Sequence, residues 1–329
     1  MADRIYVTRL IPEAGIKMLR QHFPTDVNDS DVPLTANELR EKAGQYEALV
    51  TLLTDNIDRA VLEAGKGRLK IVANVAVGYD NIDVDAATEF GIMVTNTPGV
   101  LTQTTADFSW ALLMAVARRV CEGQAFLRAG KYNGWGILML LGDDIYGKTL
   151  GVVGFGRIGQ AVVKRSTGFD MQVLYFDPVP GNEEAAAKLG ARKTDLDTLL
   201  SESDYVSVHA PLSPETHHLI GAPQFARMKR TAYLINTSRG PVVDEAALAN
   251  ALHEGQIKGA ALDVFENEPK VHPGLLELPN VLITPHIASA STETRNKMAT
   301  VAAEDVIAAF EGRRPPTLVN TSVAPPTSP

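Results

Sequence analysis

The stretch Thr149-Leu150-Gly151-Val152-Val153-Gly154-Phe155-Gly156-Arg157-Ile158-Gly159 lies near the middle of a 329-residue chain and decides its fold. An apolar run over 149–153 leads into the pattern G-x-G-x-x-G and then into a helical pattern over 160–166. A second apolar run, 171–176, ends at Asp177. A strand, a glycine turn, a helix and a spaced acid in this order predict a dinucleotide-binding unit. The glycines let the backbone approach a pyrophosphate at the helix N-terminus, and the carboxylate binds ribose hydroxyls.

Strand and helix patterns alternate on both sides of this motif. Strands are predicted over 4–8, 48–51, 69–73, 92–95, 149–154, 171–177, 205–210, 232–237, 259–264 and 281–285, and helices over 12–22, 101–119 and 292–310. Such alternation is typical of parallel sheets that helices cover on both faces. We therefore predict an α/β protein with two doubly wound parallel-sheet domains.

The position of the glycine motif sets the predicted domain order. Because the cofactor unit begins near residue 100, we predict a Rossmann NAD-binding domain, 101–286, inserted in a flavodoxin-like substrate domain formed by 1–100 and 287–320. Residues 121–148 are rich in glycine and are predicted to be an irregular arm, whose apolar run 137–141 must be covered by its own domain or by another subunit. The Pro/Ser/Thr-rich residues 321–329 are predicted to be a disordered tail.

Composition narrows the class of protein. The hydrophobic share of 45% is that of an ordinary globular chain, and the net charge of −8 argues against nucleic acid as a partner. No run of 18 apolar residues predicts a membrane span, and the N-terminus does not resemble a signal peptide. The single cysteine, Cys121, cannot form an internal disulfide and is expected to be a small buried residue. A cytoplasmic enzyme is the expectation, with no membrane partner and no metal site.

Three polar segments each follow a predicted strand, at the sheet edge where open α/β sheets bind ligands. They are Asn236-Thr237-Ser238-Arg239-Gly240, the segment 263–269 and Thr284-Pro285-His286. An arginine can bind a carboxylate and polarise a carbonyl, a histidine can donate a proton, and a carboxylate can orient that histidine. With a bound nicotinamide, Arg239, Glu268 and His286 would make a 2-oxo acid reductase. Each alone could equally be a surface residue, since His209, His217 and His218 also lie at or beyond a strand end.

Taken together, these motifs resemble the D-isomer-specific 2-hydroxyacid dehydrogenase family over nearly the whole chain. The resemblance implies that Arg239 binds and polarises the substrate, that His286 is the acid/base, and that Glu268, rather than Glu266, pairs with it. It places Asp263 beside the nicotinamide amide. The implied cofactor-binding residues are Gly154, Gly156, Arg157, Ile158, Gly159, Asp177, His209, Ala210, Pro211, Thr216, Thr237, Ser238, Arg239, Asp263 and His286.

The resemblance also assigns residues outside the cofactor domain. Backbone N–H groups near Val77 and Gly78, in the segment 75–83, would bind the substrate carboxylate, and Leu53 would contact the small side of the substrate. The segments Gly134-Trp135 and 144–150 are most similar to glyoxylate/hydroxypyruvate reductases, in which this tryptophan reaches the active site of a partner subunit. Gly136-Ile137, which follow Trp135, depart from the Lys/Arg or Pro common there, a difference that bears on the substrate and not on the reaction. The arm 121–148 would form a homodimer contact.

The expected activity is NADH-dependent reduction of glyoxylate, and of hydroxypyruvate, to the D-2-hydroxy acid. Asp177 favours NAD because a carboxylate repels the extra phosphate of NADP. Two alternatives stay open. One is a dehydrogenase of the same family for phosphoglycerate or a bulkier 2-oxo acid, and the other is a non-catalytic NAD-sensing protein similar to the family's co-repressors.

Overall fold

The computed structural model describes residues 3–325, and the chain divides into two compact units. Unit 1 comprises Met1–Leu101 and Ala290–Pro329, and unit 2 comprises Thr102–Ser289. Within the described residues, no helix is both long enough and apolar enough to cross a membrane. Residues 326–329 of the predicted tail lie outside the described range, whereas Thr321 and Val323 donate backbone hydrogen bonds of 3.1 and 3.0 Å to Val319 and Asn320. These hydrogen bonds, with Asn320 buried, give the start of that tail a defined turn.

Unit 1 is built on a five-stranded sheet whose paired strands all run parallel, in the order β2-β1-β3-β4-β5. The strands are β1 (Ile5–Val7), β2 (Thr25–Val27), β3 (Ala48–Thr51), β4 (Ile71–Asn74) and β5 (Met93–Thr95). The helices are α1 (Glu13–His22), α2 (Ala36–Gln45), α3 (Arg59–Ala64), α4 (Val84–Glu89) and α13 (Thr292–Phe310). A Cβ on Gly15 would lie 2.7 Å from the Ala299 carbonyl oxygen, so glycine lets α1 pack directly on the backbone of α13. The strand order is that of the flavodoxin-like fold.

Unit 2 contains a seven-stranded parallel sheet in the order β12-β11-β10-β9-β6-β7-β8. Its strands are β6 (Thr149–Val153), β7 (Gln172–Phe176), β8 (Ala191–Lys193), β9 (Tyr205–Val208), β10 (Tyr233–Asn236), β11 (Gly259–Leu262) and β12 (Val281–Ile283). Its helices are α5 (Thr102–Ala117), α6 (Val120–Arg128), α7 (Arg157–Ser166), α8 (Glu183–Lys188), α9 (Leu196–Glu202), α10 (Ala222–Phe225), α11 (Glu245–His253) and α12 (Pro273–Leu276). The strand order reverses at β6, which places the glycine motif at the switch point where such sheets bind ligands.

Trp110 shows how the helices of unit 2 are fixed to one another. Its indole Nε1–H donates to the Val162 carbonyl at 2.9 Å, and its ring stacks on Phe169 with 4.9 Å between centroids. The indole thereby joins α5 to α7, the helix that follows the glycine turn. The two parallel sheets with alternating helices confirm the predicted fold class, two α/β domains of which one is a Rossmann unit.

The structure corrects two expectations in the region 120–148. Its first residues form the helix α6 instead of an irregular segment, and α6 begins after Arg119, whose φ of 53° breaks it from α5. Because α6 has no buried residue, Cys121 is exposed, contrary to the expectation that it is buried. Gly123 within α6, and the absence of a buried face, leave little sequence signal for a helix here.

Candidate active site

The glycine turn between β6 and α7 uses each glycine for a different physical reason. Gly154 has φ +91°, and a Cβ there would lie 2.6 Å from the Ala210 nitrogen. A Cβ on Gly159 would lie 2.2 Å from the Gly154 carbonyl oxygen, so this glycine permits the helix to start against the turn. A Cβ on Gly156 would meet no atom within 4 Å, so the space in front of the turn is open. Gly156 therefore leaves room for a ligand.

The residues around this turn fit the pyrophosphate and ribose of a dinucleotide. No side chain caps the N-terminus of α7 at Gly156, so its first N–H groups and the helix dipole are available to an anion. Asp177, 9% exposed, follows β7 and accepts from Phe155 N at 2.7 Å and from Val179 N at 2.8 Å. These bonds tie the carboxylate to the glycine turn. Oδ2 also accepts from Asn182 Nδ2 at 3.5 Å, so Oδ1 is the oxygen better placed to accept from a ribose hydroxyl.

The loop after β9 forms one hydrogen-bonded structure beside this turn. His209 Nε2 lies 2.8 Å from Ser207 Oγ, and burial lowers the pKa of His209 to about 3. This imidazole is therefore neutral at physiological pH and cannot supply a proton. Thr216 Oγ1 donates to the Pro211 carbonyl at 2.6 Å, which fixes the loop that continues from Ala210.

Asn236 at the end of β10 shapes the segment that carries Arg239. Its Oδ1 accepts from Ser238 N at 3.0 Å and from Ser238 Oγ at 2.8 Å, and its Nδ2 donates to the Arg239 carbonyl at 3.0 Å. Thr237 Oγ1 lies 2.8 Å from Ser109 Oγ of α5. Arg239 is half-buried, and its Nη1 donates to the Ser238 carbonyl at 2.9 Å.

Asp263, fully buried after β11, holds the turn that carries His286. Its Oδ1 accepts from Thr284 Oγ1 at 2.6 Å and from Ile287 N at 2.9 Å, and its Oδ2 accepts from Ala288 N at 2.7 Å. Burial raises the pKa of the Asp263 carboxyl, although these three hydrogen bonds oppose the rise. His286 has φ +53°, a left-handed conformation that is uncommon outside glycine, and the Asp263 hydrogen bonds hold the turn in which it occurs.

His286 and Glu268 form a hydrogen-bonded pair in which Nδ1 lies 2.9 Å from Oε2. The two side chains are 23% and 30% exposed. Burial acts to raise the pKa of the Glu268 carboxyl, but the hydrogen bond and charge of His286, with the Phe265 N hydrogen bond and the Arg239 charge, hold that pKa below its usual value. Since Nδ1 faces Glu268, Nε2 is the nitrogen left to face a substrate. The pair can therefore hold a proton at a defined atom.

The other histidines at this edge have different partners. His218 Nε2 lies 2.5 Å from Glu266 Oε1, so the two glutamates of the segment 263–269 each pair with their own histidine. His217 stacks on His218 with 4.1 Å between ring centroids. Of the candidate histidines, His286 alone contacts Glu268 among the described residues.

Leu53, Val77 and Gly78 belong to unit 1. Two buried asparagines fix the loop after β4: Asn74 Nδ2 donates to the Gly78 carbonyl at 2.9 Å, and Asn96 Nδ2 donates to the Val77 carbonyl at 2.7 Å. Because side chains bind these two carbonyls and fix the loop, its backbone N–H groups could form an anion-binding nest. Trp135 is 76% exposed.

Sequence reasoning missed the residues that hold the loops in place. Asn74, Asn236 and Ser109 are buried polar residues that bind loop backbone or a loop hydroxyl. A polar side chain at the last position of an otherwise apolar strand was the available signal for Asn74 and Asn236. No comparable signal marks Ser109, which lies within an apolar helix pattern.

Comparison with known proteins gives consistent matches. Residues 110–288 match the family described as D-isomer specific 2-hydroxyacid dehydrogenase, NAD binding domain. The chain is 53% identical over 326 residues to a glyoxylate reductase of Korarchaeum cryptofilum, which covers 98% of this chain and 97% of that protein. A crystal structure of a Thermus thermophilus protein matches with a TM-score of 0.88 and 44% identity, over 96% of this chain and 99% of that chain.

A third match bears on the cofactor. The NADPH-dependent glyoxylate/hydroxypyruvate reductase of Sinorhizobium meliloti, solved with NADP and malonate, matches with a TM-score of 0.86 and 32% identity. The match covers 100% of both chains.

Proposed function

Because the chain belongs to the D-isomer-specific 2-hydroxyacid dehydrogenase family, we propose that it uses NADH to reduce glyoxylate and hydroxypyruvate, to glycolate and D-glycerate. The observation that carries this proposal is the His286–Glu268 pair. It lies on loops at the same carboxyl edge of the unit 2 sheet as the glycine turn and Arg239. A proton donor, a guanidinium and a dinucleotide turn at one sheet edge are the components that reduction of a 2-oxo acid requires.

His286 supplies the proton of the reaction. Glu268 accepts from Nδ1–H, which fixes the ring and leaves the Nε2 proton for the substrate carbonyl oxygen. After that transfer the neutral ring keeps its Nδ1–H on Glu268, so the pair remains intact. NADH, when bound at the glycine turn, supplies the hydride that the carbonyl carbon gains.

Arg239 binds the carboxylate and polarises the carbonyl, since a guanidinium offers a forked pair of charge-assisted donors. Asn236 binds the Arg239 backbone carbonyl and so fixes the position from which the Arg239 side chain extends. We also propose that the N–H groups of Val77 and Gly78 receive the substrate carboxylate and that Leu53 contacts the substrate side chain. Leu53 and the 77–78 loop, on unit 1, are then the parts that select among 2-oxo acids.

We propose NAD, rather than NADP, as the preferred cofactor. The supporting observation is the buried Asp177 carboxylate, which is bound to the glycine turn and would repel a 2′-phosphate. The Sinorhizobium meliloti relative is NADPH-dependent, so cofactor choice varies among proteins of this fold.

A homodimer is proposed from the exposed apolar residues of the arm 121–148. Trp135, Ile137 and Leu138 are 76%, 71% and 78% exposed in the single chain, and together they form an apolar patch that a second copy would cover. Trp135 would then reach the partner's active site. We further propose a cytoplasmic location, which cell fractionation tests directly.

The test is NADH oxidation followed by absorbance with glyoxylate, hydroxypyruvate, pyruvate and a bulkier 2-oxo acid. We expect the highest kcat/KM with the first two. His286→Ala should lower kcat by about 10²–10⁴-fold, as for a lost general acid. Arg239→Ala should raise KM for the 2-oxo acid as well as lower kcat, with the KM for NADH changed less. A folded His286→Ala variant with full activity refutes the assignment.

A further inference from the structure

The loop that carries Glu268 is held in place by Glu245, a buried acid that takes no part in the proposed reaction. Glu245 is the first residue of α11, a position where a glutamate side chain is usually solvated, yet it is only 4% exposed. Asp244, the residue before it, caps the helix by accepting from Ala247 N at 2.9 Å. The Glu245 carboxylate is therefore not needed as the cap and is directed elsewhere.

Both oxygens of Glu245 bind the backbone of the loop that follows β11. Oε1 accepts from Glu266 N at 2.5 Å, and Oε2 accepts from His272 N at 3.1 Å. These two N–H groups lie on either side of Glu268. One carboxylate thus spans the loop at both ends, and charge-assisted bonds of this kind are among the stronger hydrogen bonds in proteins.

A second contact fixes the same loop to the segment that begins with Arg239. A Cβ on Gly240 would lie 1.8 Å from the Phe265 carbonyl carbon, so the backbones of the two loops touch. Phe265 N in turn donates to Glu268 Oε1 at 3.0 Å. Glu268 is therefore held by its own loop at Oε1, and its other oxygen, Oε2, contacts His286.

We propose that Glu245 is a positioning residue for the reaction: it fixes the 266–272 loop so that Glu268 Oε2 meets His286 Nδ1. This inference rests on the proposed function, because it needs the His286–Glu268 pair to act in proton transfer. Glu266 belongs to the same arrangement, since its side chain accepts from Glu245 N at 3.4 Å and pairs with His218.

The test compares Glu245→Gln and Glu245→Ala. Glutamine keeps the packing and one acceptor oxygen, whereas alanine removes the packing and both acceptor oxygens. We expect kcat to fall about 10-fold in Glu245→Gln and up to about 100-fold in Glu245→Ala, the scale of a displaced catalytic group. The KM for NADH should change less than kcat, because the glycine turn follows β6, which β9 and β10 separate from β11 in the sheet.

The pH profile of kcat/KM provides a readout that loss of stability alone does not move. The contact with His286, together with the Phe265 N hydrogen bond and the Arg239 charge, holds the pKa of Glu268 low against the effect of burial. On the proposed mechanism, we expect the acid limb of the profile to follow ionisation of Glu268. When the loop loosens, burial remains and the contact weakens, so the Glu268 pKa rises. The acid limb should therefore move to higher pH in both variants, and further in Glu245→Ala.

Asp195→Ala is the matched control for stability. Asp195 caps α9 in the same unit by accepting from Thr198 N and Thr198 Oγ1, each at 2.8 Å, and Thr198 lies within α9 itself. This variant should lower Tm and leave the acid limb unchanged. Folded Glu245 variants with an unchanged acid limb overturn the inference, even if Tm falls.

The experiments distinguish failure of the proposed function from failure of the positioning role of Glu245. If Glu268→Gln lowers activity while the Glu245 variants keep the wild-type profile, only the positioning role is wrong. If the wild-type protein reduces no 2-oxo acid, or Glu268→Gln is fully active, both are overturned. Glu245→Gln keeps the comparison possible if Glu245→Ala does not fold.

Discussion

Replacing the three glycines of the turn by alanine, one at a time, should separate cofactor binding from folding. Gly154 and Gly159 are constrained by protein atoms, whereas Gly156 faces open space. The first two variants should therefore lose stability, and the third should lose affinity for NADH. Because the same substitution is made at three positions within six residues, the other two variants serve as controls for each one.

The magnitudes follow from the local geometry. For Gly154→Ala, the φ of +91° costs about 1–2 kcal/mol and a Cβ 2.6 Å from Ala210 N adds about 1–3 kcal/mol. The sum, roughly 2–5 kcal/mol, corresponds to a fall in Tm of roughly 5–20 °C. Gly159→Ala avoids the φ penalty but places a Cβ 2.2 Å from a backbone oxygen, so it should cost at least about 1–3 kcal/mol.

Gly156→Ala should behave differently. Its φ of −70° suits alanine, and the lower entropy of the unfolded chain offsets the poorer N-cap, so stability should change by less than about 1 kcal/mol. A methyl group in front of the α7 N-terminus would displace a phosphate from one N–H contact. A lost charge-assisted hydrogen bond is worth about 1.5–3 kcal/mol, which raises the Kd for NADH about 10- to 100-fold.

The assays are thermal and urea unfolding without cofactor, and fluorescence titration with NADH. Two results would refute the reasoning. If Gly156→Ala binds NADH as tightly as the wild type, the turn is not the pyrophosphate site. If Gly154→Ala is as stable as Gly156→Ala, the close contact with Ala210 does not constrain the fold.

Three further outcomes are expected. Burial lowers the pKa of His209 from 6.5 to about 3. The neutral imidazole should therefore contribute to the free energy of unfolding above pH 6.5, and the free energy should decline as the pH falls below that value, by about 2 kcal/mol at pH 5. The difference in urea unfolding between pH 5 and pH 7.5 should be smaller in His209→Gln than in the wild type. Leu138→Glu should shift the mass measured by light scattering from dimer to monomer, while Val32→Glu, 63% exposed on unit 1, should not. Asp177→Asn should raise the ratio of NADPH to NADH efficiency about 10-fold, or about 1.4 kcal/mol; an unchanged ratio contradicts the role of its charge.

The sequence predicted the apolar, continuous strands well, both inside the sheets and at the sheet edges formed by β5 and β12. The strands β1, β3–β7 and β9–β12 all fall within or beside the predicted ranges. The edge strands β2 and β8 escaped prediction, since each has three residues and a polar, partly exposed composition such as Ala-Arg-Lys. A short polar edge strand is specified by its neighbour's unpaired backbone more than by its own side chains, and a single sequence does not display that neighbour.

The site residues were predictable to the extent that each follows a strand. The pairing of these residues was not predictable from spacing alone, which does not tell whether Glu266 or Glu268 contacts His286. In the structure Glu268 Oε2 lies 2.9 Å from His286 Nδ1. Asn236 binds backbone two and three residues ahead of it, whereas Asp263 and Glu245 bind the backbone of the loop that follows the next strand. Their contacts depend on loop conformation, including the left-handed His286, which no local pattern specifies.

The reacting groups of unit 2 are held by loops that bind one another. The Arg239–Gly240 segment presses on Phe265, Asp263 binds the turn that carries His286, and Glu245 spans the loop of Glu268. A change in any of these loops must therefore disturb its neighbours, and with them the proton donor. The proposed substrate-side residues, Leu53 and Gly78, belong to a different sheet with its own asparagine supports. On the proposed assignment, the type of reaction and the choice of 2-oxo acid are encoded in separate parts of the chain, so one could vary without the other.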